Sequence, residues 1–564
     1  MVDLRLSPAS GAGPVDTVTR RGRARGAGQR PHDTGRLVRS SAVVGIGTAT
    51  SRVTGLMWRA AAAYAIGITA LSGTYAFANE TPNMLYELLV GGVLTATLVP
   101  QFVRHVEERD EDATSAVMTV SMIILVGVSA LGVLLAPWIA DLLTLKVHGV
   151  QQIQERQLAT DLVRCFMPQI ALYGFTALAT ALLQARRRFA AAAFAPSLNN
   201  LVLVGLFLSL PRLASRPITV EHVLNDTALL LYLGLGTTAA VGAMALALWP
   251  AIRGARVHLR FLAAWRHRAV VTILRLSGWT VGYVTANQIA LWIVLVLANS
   301  RTGGPAAYLL AYTLFQLPHG LFAVSIMTTA GPELAAVARD QPALRHRFAR
   351  ALRLILTIVI PAAALSVALA RPAVVALLQR GAFSGGDSAL VAHTLVGFAV
   401  GLPFFSVYLF ALRAFYSIND TRTPFFLNCL ENAVNIVLAL AFVGPLGIPG
   451  LAYAFSGAYA VAAVVTLFAL SRRIGGLQGR GIETTTVKVS VVSVVAAGAA
   501  WFVANSIGWA GDTRAIAATV AGLVVAGVVL AAGLTLARVE EWQELVSGLR
   551  PGRRRGAGPA SVRR

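Results

Sequence analysis

Long apolar runs recur along the whole chain, each closed by a short polar connection. Fourteen can be marked, at 41–66, 72–100, 115–139, 163–184, 190–210, 228–250, 270–298, 306–334, 352–376, 389–415, 425–443, 447–470, 487–505 and 515–537. At about 1.5 Å per residue, a helix built from such a run crosses a hydrocarbon core roughly 30 Å thick. Too few polar residues alternate within the runs for the strands of a membrane barrel. The pattern predicts an all-α polytopic membrane protein with about 14 transmembrane helices, the first two being the least apolar.

Composition agrees. Of 564 residues, 56% are hydrophobic and 13% charged, and the mean hydropathy is +0.67. A soluble protein needs roughly twice that share of charge, so a compact soluble enzyme is excluded. Cys165 and Cys429 are far apart and give neither a metal spacing nor a disulfide framework; no metal or cofactor is expected.

The net charge of +23 is unevenly placed. With the N-terminus inside, the inner connections hold Arg186, Arg187 and Arg188, then Arg253 to Arg268, Arg339 to Arg350, and Arg472, Arg473 and Arg480. The outer connections hold only scattered cations such as Lys146, Arg212, Arg301 and Arg380. This is the positive-inside bias. It predicts an even number of spans with both termini cytoplasmic. Arginines beside spans also meet anionic membrane lipids. They lack the aromatic interleaving of a nucleic-acid surface, so no nucleic-acid partner is expected. Residues 1–36 and 538–564 read as basic cytoplasmic ends, the first disordered and without a signal-peptide core.

Two places look alike. Leu182 to Phe189 lead through Arg186-Arg187-Arg188 to Pro196 and Asn200; Ala411 to Tyr416 lead through Arg413, Asp420 and Arg422 to Pro424 and Asn428. In both, a span ends in a basic turn, a Pro opens the next span, and an Asn follows four residues later. The match pairs spans 4–5 with spans 10–11. It predicts two six-helix lobes around a central cavity, 37–250 and 251–470, with two further helices at 487–537.

Ionisable residues inside spans are costly and mark cavities or partners. Arg52 and Arg59 lie seven apart on one face of the first span, and Glu80, Asn83 and Glu87 on one face of the second. Pro82, Pro100 and the glycines at 91–92 are expected to interrupt or loosen that second helix. The two arginines are either packing partners of Glu80 or Glu87, or donors to a phosphate in a water-filled cavity. Gln316, Pro318 and His319 form a kinked polar patch. Glu431 and Asn435 share a face; Glu431 is a cavity carboxylate or a partner of Arg413. No catalytic constellation or nucleotide-binding loop is present, so an enzyme is not expected.

These residues resemble the MviN/MurJ family of lipid II flippases, within the multidrug/oligosaccharidyl-lipid/polysaccharide exporter superfamily. The resemblance rests on Ser51-Arg52-Val53-Thr54-Gly55, Pro82-Asn83, Val99-Pro100, Phe194 to Asn200 around Pro196, and Gln316 to Gly320 around Pro318. It continues in Leu377 to Phe383 with Arg380-Gly381, and in Arg413 leading to Asp420-Thr421-Arg422-Thr423-Pro424, so that it covers about residues 37–536.

The resemblance implies fourteen spans and the carriage of an undecaprenyl-diphosphate-linked peptidoglycan precursor, lipid II, to the outer face of the membrane. Cavity arginines would meet the diphosphate, and the last two helices would form a groove for the lipid tail. Arg52 matches the family's first-span arginine. Arg59 falls one position beyond the slot of the second, which holds Trp58. Tyr86, Glu87 and Gly91 occupy the family's second-span arginine pair and glutamate, Gly73 an acidic slot, and Thr313 the eighth-span arginine. The substrate is then lipid II or a related polyprenyl-diphosphate glycan; a scaffold working with cell-wall synthesis proteins is the other reading.

Overall fold

The computed structural model describes residues 31–91, 98–108, 110–214, 217–255, 260–268, 278–477 and 479–549. Residues 1–30 of the expected disordered start, the last part of the basic tail and Gly92 lie outside the described residues; residues 31–36, also expected to be disordered, are instead the first residues of α1. The order is α1 (Pro31–Ile66), α2 (Ala70–Tyr86) with a π-helical turn (Glu87–Gly91), α3 (Val99–Glu108), α4 (Glu111–Leu134), α5 (Ala136–Leu143), α6 (Val150–Phe166), α7 (Gln169–Ala185), α8 (Phe189–Leu213), α9 (Val220–Asn225) and α10 (Thr227–Gly254). Then come α11 (Gly278–Ala298), α12 (Gly304–Pro318) with a second π-helical turn (His319–Ala323), α13 (Val324–Ala336), α14 (Gln341–Ala368), α15 (Ala370–Leu378), α16 (Gly385–Ser417), α17 (Arg422–Ile474), α18 (Gly479–Ile507), α19 (Asp512–Leu536) and α20 (Glu540–Leu549).

No strand occurs among the described residues. Eleven helical stretches among them are long and apolar enough to cross a membrane. α1 and α2, which carry Arg52, Arg59 and Glu80, are not in that set. α17 enters it once, as 53 residues, although Gly447 at φ 62° breaks its helical path.

Packing sorts the helices. In the first half α8 lies along α1 and α10, α6 along α2, and α7 along α4 and α10. In the second half α16 lies along α17, α14 and α12, with α11 on α17. α18 and α19 pack on each other and on α14 and α15. Contacts between the halves run chiefly through α12 against α2 and α1, and through α11 against the first π-helical turn.

The sequence repeat has a structural counterpart. Asn200 of α8 donates to the Ser51 carbonyl and to Thr54 Oγ1 of α1, each at 3.1 Å. Asn428 of α17 donates to Asn287 Oδ1 of α11 at 2.8 Å. The two asparagines thus tie span 5 to span 1 and span 11 to span 7. In each basic turn one residue takes the left-handed conformation, Arg187 at φ 57° and Asn419 at φ 60°. Both π-helical turns also fall in paired spans, the second and the eighth.

Pro82 departs from expectation, because α2 runs through it without interruption. Thr81 Oγ1 donates to the Phe77 carbonyl at 3.0 Å, one turn back on the same helix. The irregularity comes one turn later, at the π-helical turn that begins with Glu87.

Candidate functional site

Arg52 and Arg59 both face the second half of the molecule, about 10 Å apart along α1. Arg52 lines a cavity of about 530 Å³ with Val44, Thr48, Phe189, Gly320 and Val324. Its guanidinium lies on the backbone of Gly320, where an added Cβ would meet it at under 3 Å. Its Nε is buried without a hydrogen-bond partner, and among the described residues Arg52 makes no ion pair. An arginine so placed is a set of donors held toward a cavity, with no acceptor of its own. The cavity adjoins Phe189, which directly follows Arg186-Arg187-Arg188 in the chain.

Arg59 sits in a smaller space of about 60 Å³, lined by Trp58, Tyr75, Asn79, Glu80 and Leu309. Its guanidinium stands 4.8 Å over the Trp58 ring, a cation–π contact. Glu80 faces the same space but accepts from Asn83 Nδ2 at 2.8 Å, and no Arg59–Glu80 ion pair forms among the described residues. Glu87 begins the π-helical turn, and among the described residues it forms no ion pair with either arginine. The structure therefore gathers Arg59, Glu80 and Asn83 at one level and Arg52 at another.

Glu431 stands apart from both. It is 2% exposed on α17, in a polar core where Asn432 donates to Asn287 at 2.9 Å and Asn435 Oδ1 is buried without a partner. Among the described residues it forms no ion pair with Arg413 or any other cation. His319 is a core residue: its Nδ1 hydrogen-bonds Ser406 Oγ at 3.0 Å, and its ring packs on Phe405.

The motif at Arg380-Gly381 is explained by the end of the molecule away from the arginines. Gly381 adopts φ 65° against Tyr64, and the next residue, Ala382, donates its N–H to the Tyr64 carbonyl at 2.9 Å. Gly67, at φ 60°, faces the Ala382 carbonyl, and Gly73 faces Gly303. Backbone meets backbone across the two halves and closes that end. Arg380 reaches the other way, to Asp512 of α19 at 2.9 Å. The Asp420 motif is a turn: its carboxylate accepts from the Thr423 N–H at 3.0 Å and from Thr423 Oγ1 at 2.8 Å, while Arg422 stacks over Phe426. Pro424 lies in the first turn of α17, whereas Pro196, expected to open its span, is the eighth residue of α8 and sits inside the helix; Pro318 ends α12 at the second π-helical turn, and Pro100 is the second residue of α3.

Sequence reasoning missed the seat of Arg52. Gly320 was visible as a motif member, but nothing local shows that a side chain 268 positions earlier rests on it. It also missed the buried Glu155, which accepts from Gln151 at 2.6 Å and Thr74 at 3.4 Å.

With this geometry in view, comparison decides the family. The family model described as "Lipid II flippase MurJ" matches residues 62–521. The chain belongs to that family. It is 26% identical to a probable lipid II flippase MurJ of Rhizobium meliloti (strain 1021), over 88% of this chain and 92% of that one. It is also 26% identical to a lipid II flippase MurJ of Thermosipho africanus (strain TCF52B), over 72% and 81%. Among solved structures it resembles a lipid II flippase MurJ in an inward closed conformation, with a TM-score of 0.70, 20% identity and coverage of 90% and 100%. An inward-facing multidrug resistance MATE family transporter of the MOP superfamily follows at 0.61, with 16% identity and coverage of 76% and 96%. These structural likenesses establish the fold. The chain is a polytopic helical membrane protein of the MurJ and MOP-superfamily transporter architecture.

Proposed function

We propose that this chain is a flippase that moves lipid II, the undecaprenyl-diphosphate-linked peptidoglycan precursor, from the inner to the outer face of the cytoplasmic membrane. The observation that carries this reading is Arg52, whose guanidinium has no ion-pair partner among the described residues and is held toward a cavity between the two halves. A diphosphate supplies the acceptors it lacks, in the fork geometry that guanidinium suits. The headgroup enters from the arginine-rich side and meets Arg52, then Arg59 with Glu80, Asn83 and Glu87 nearby. The lipid tail lies along α18 and α19, while Glu431 acts from the second half. Rocking of the lobes 37–250 and 251–470 opens the end closed by Tyr64 and Ala382.

The arginine bias supports a cytoplasmic position for both termini, and anionic lipids at that face. Counting α1, α2 and the two arms of α17 supports fourteen spans. The chain performs carriage and no covalent chemistry.

A related polyprenyl-diphosphate glycan is the second reading. At the family's arginine slots, Tyr86 packs on Tyr173 with ring centroids 5.6 Å apart, and Thr313 Oγ1 bonds its own helix at the Leu309 carbonyl. Neither position offers a cation. The test is lipid II exposure in a bacterial strain depleted of its own flippase and expressing this chain, read by an externally added enzyme that cleaves exposed lipid II. Restored cleavage, lost in Arg52→Ala at normal protein level, supports the flippase. No cleavage from a well-inserted protein assigns another glycan, or a scaffold role beside cell-wall synthesis proteins.

A further inference from the structure

A second site lies in the first half, lined by none of the residues that line the cavities of Arg52 and Arg59. A groove of about 690 Å³ runs between α4, Phe175 of α7 and the segment that follows α10. That segment is pinned along α4: the Arg260 N–H donates to Ser115 Oγ and the Leu262 N–H to Thr119 Oγ1, both at 3.2 Å. Along one face of α4 the chain reads Asp112, Ser115, Thr119, Met122 and Val126, at spacings of three and four. The stripe grades from a carboxylate through two hydroxyls to apolar side chains. Arg260 lines its polar end, and Asp112, exposed one turn before Ser115 on the same face of α4, stands just beyond that lining with the opposite charge. Phe261, 82% exposed, continues the apolar wall beside Arg260.

We propose that this groove binds one phospholipid whose head carries both a phosphate and an ammonium. The phosphate meets Arg260 and the ammonium meets Asp112, each an interfacial charge contact. An acyl chain lies over Met122, Val126 and Phe175, where its burial contributes roughly 0.8 kcal/mol per methylene. The paired charges select a zwitterionic head: a purely anionic lipid satisfies Arg260 and is repelled by Asp112. Other charges near this end are Arg266 and Arg268 on the segment and Glu111 on α4. The site needs only that the chain resides in a bilayer, so it stands whether or not lipid II is the cargo.

The test is native mass spectrometry of the full-length protein in detergent, with phosphatidylethanolamine and phosphatidylglycerol supplied in equal amounts. The wild type retains phosphatidylethanolamine in preference by about two- to fivefold, the span of one interfacial ion pair. Asp112→Asn removes that preference, and Val126→Trp, which fills the groove from a lipid-exposed position, lowers retention of both. Each variant is compared only as the monodisperse protein. Equal retention by the wild type, an unchanged preference in Asp112→Asn, or full retention in Val126→Trp overturns the proposal.

Discussion

The guanidinium of Arg52 rests on the backbone of Gly320, in the π-helical turn that separates α12 from α13. Single-turn π segments inside helices recur at functional positions, and here the missing side chain is what admits the arginine. Gly320→Ala places a methyl where the guanidinium lies. The arginine is flexible at that end, so the expected melting temperature stays near wild type. Lipid II exposure falls about ten- to a hundredfold, the equivalent of losing one charge-assisted contact of roughly 1.5–3 kcal/mol. Wild-type exposure in a correctly inserted variant would sink this role.

Gly381 carries the closed end. Its φ of 65° and its contact with Tyr64 leave no room for a Cβ. Gly381→Ala is expected to cost roughly 1–2 kcal/mol in backbone strain alone. Hydrogen exchange is the measurement: the Ala382 amide, bonded to Tyr64, exchanges faster in the variant while the core of α16 does not. Unchanged protection at Ala382 would contradict the assignment.

The C-terminal helix α20 is held by two ion pairs of different depth. Glu541 is 3% exposed, pairs with Arg353 and also accepts from Thr485. Glu544 pairs with Arg350 at the surface. Glu541→Ala is expected to destabilise by about 3 kcal/mol, because it leaves a partly buried arginine unpaired. Glu544→Ala changes stability by less than about 1 kcal/mol. Detergent unfolding curves of both variants check the contrast, and equal effects would refute it.

The asparagine ties predict independence. Asn200→Ala removes two helix-to-helix bonds and Asn428→Ala removes one, each tie expected to be worth about 0.6–2 kcal/mol in a membrane. The two ties share no partners, so the double variant shows the sum within about 0.5 kcal/mol. A markedly larger loss would mean that the two halves unfold as one unit.

Much of this was legible in the chain because hydrocarbon imposes a simple rule: long apolar runs become helices. The pairing of Pro196 and Asn200 with Pro424 and Asn428 anticipated both ties, since a buried amide must find a partner. Depth and partners were less legible. Pro82 reads as a break, yet α2 runs through it, and the irregular backbone appears at Glu87. Glu431 and Arg413 invite pairing by charge, but Glu431 lies instead among neutral amides. Arg52 and Arg59 share a helix face, as their spacing requires, while the cavities they meet are set by α12 and α13, more than 240 residues away. Periodicity carries no information about which distant surface a face will touch.

The bond from Asn200 has a lopsided partner. One of its two acceptors is the main-chain oxygen of Ser51, which every amino acid possesses. Position 51 can therefore vary in sequence without giving up that acceptor, whereas position 200 cannot change without losing the donor. Tolerance to substitution across this helix pair should be unequal: permissive on α1 at Ser51, restrictive on α8 at Asn200. A saturation library covering both positions would show it as two very different lists of survivors from a single contact.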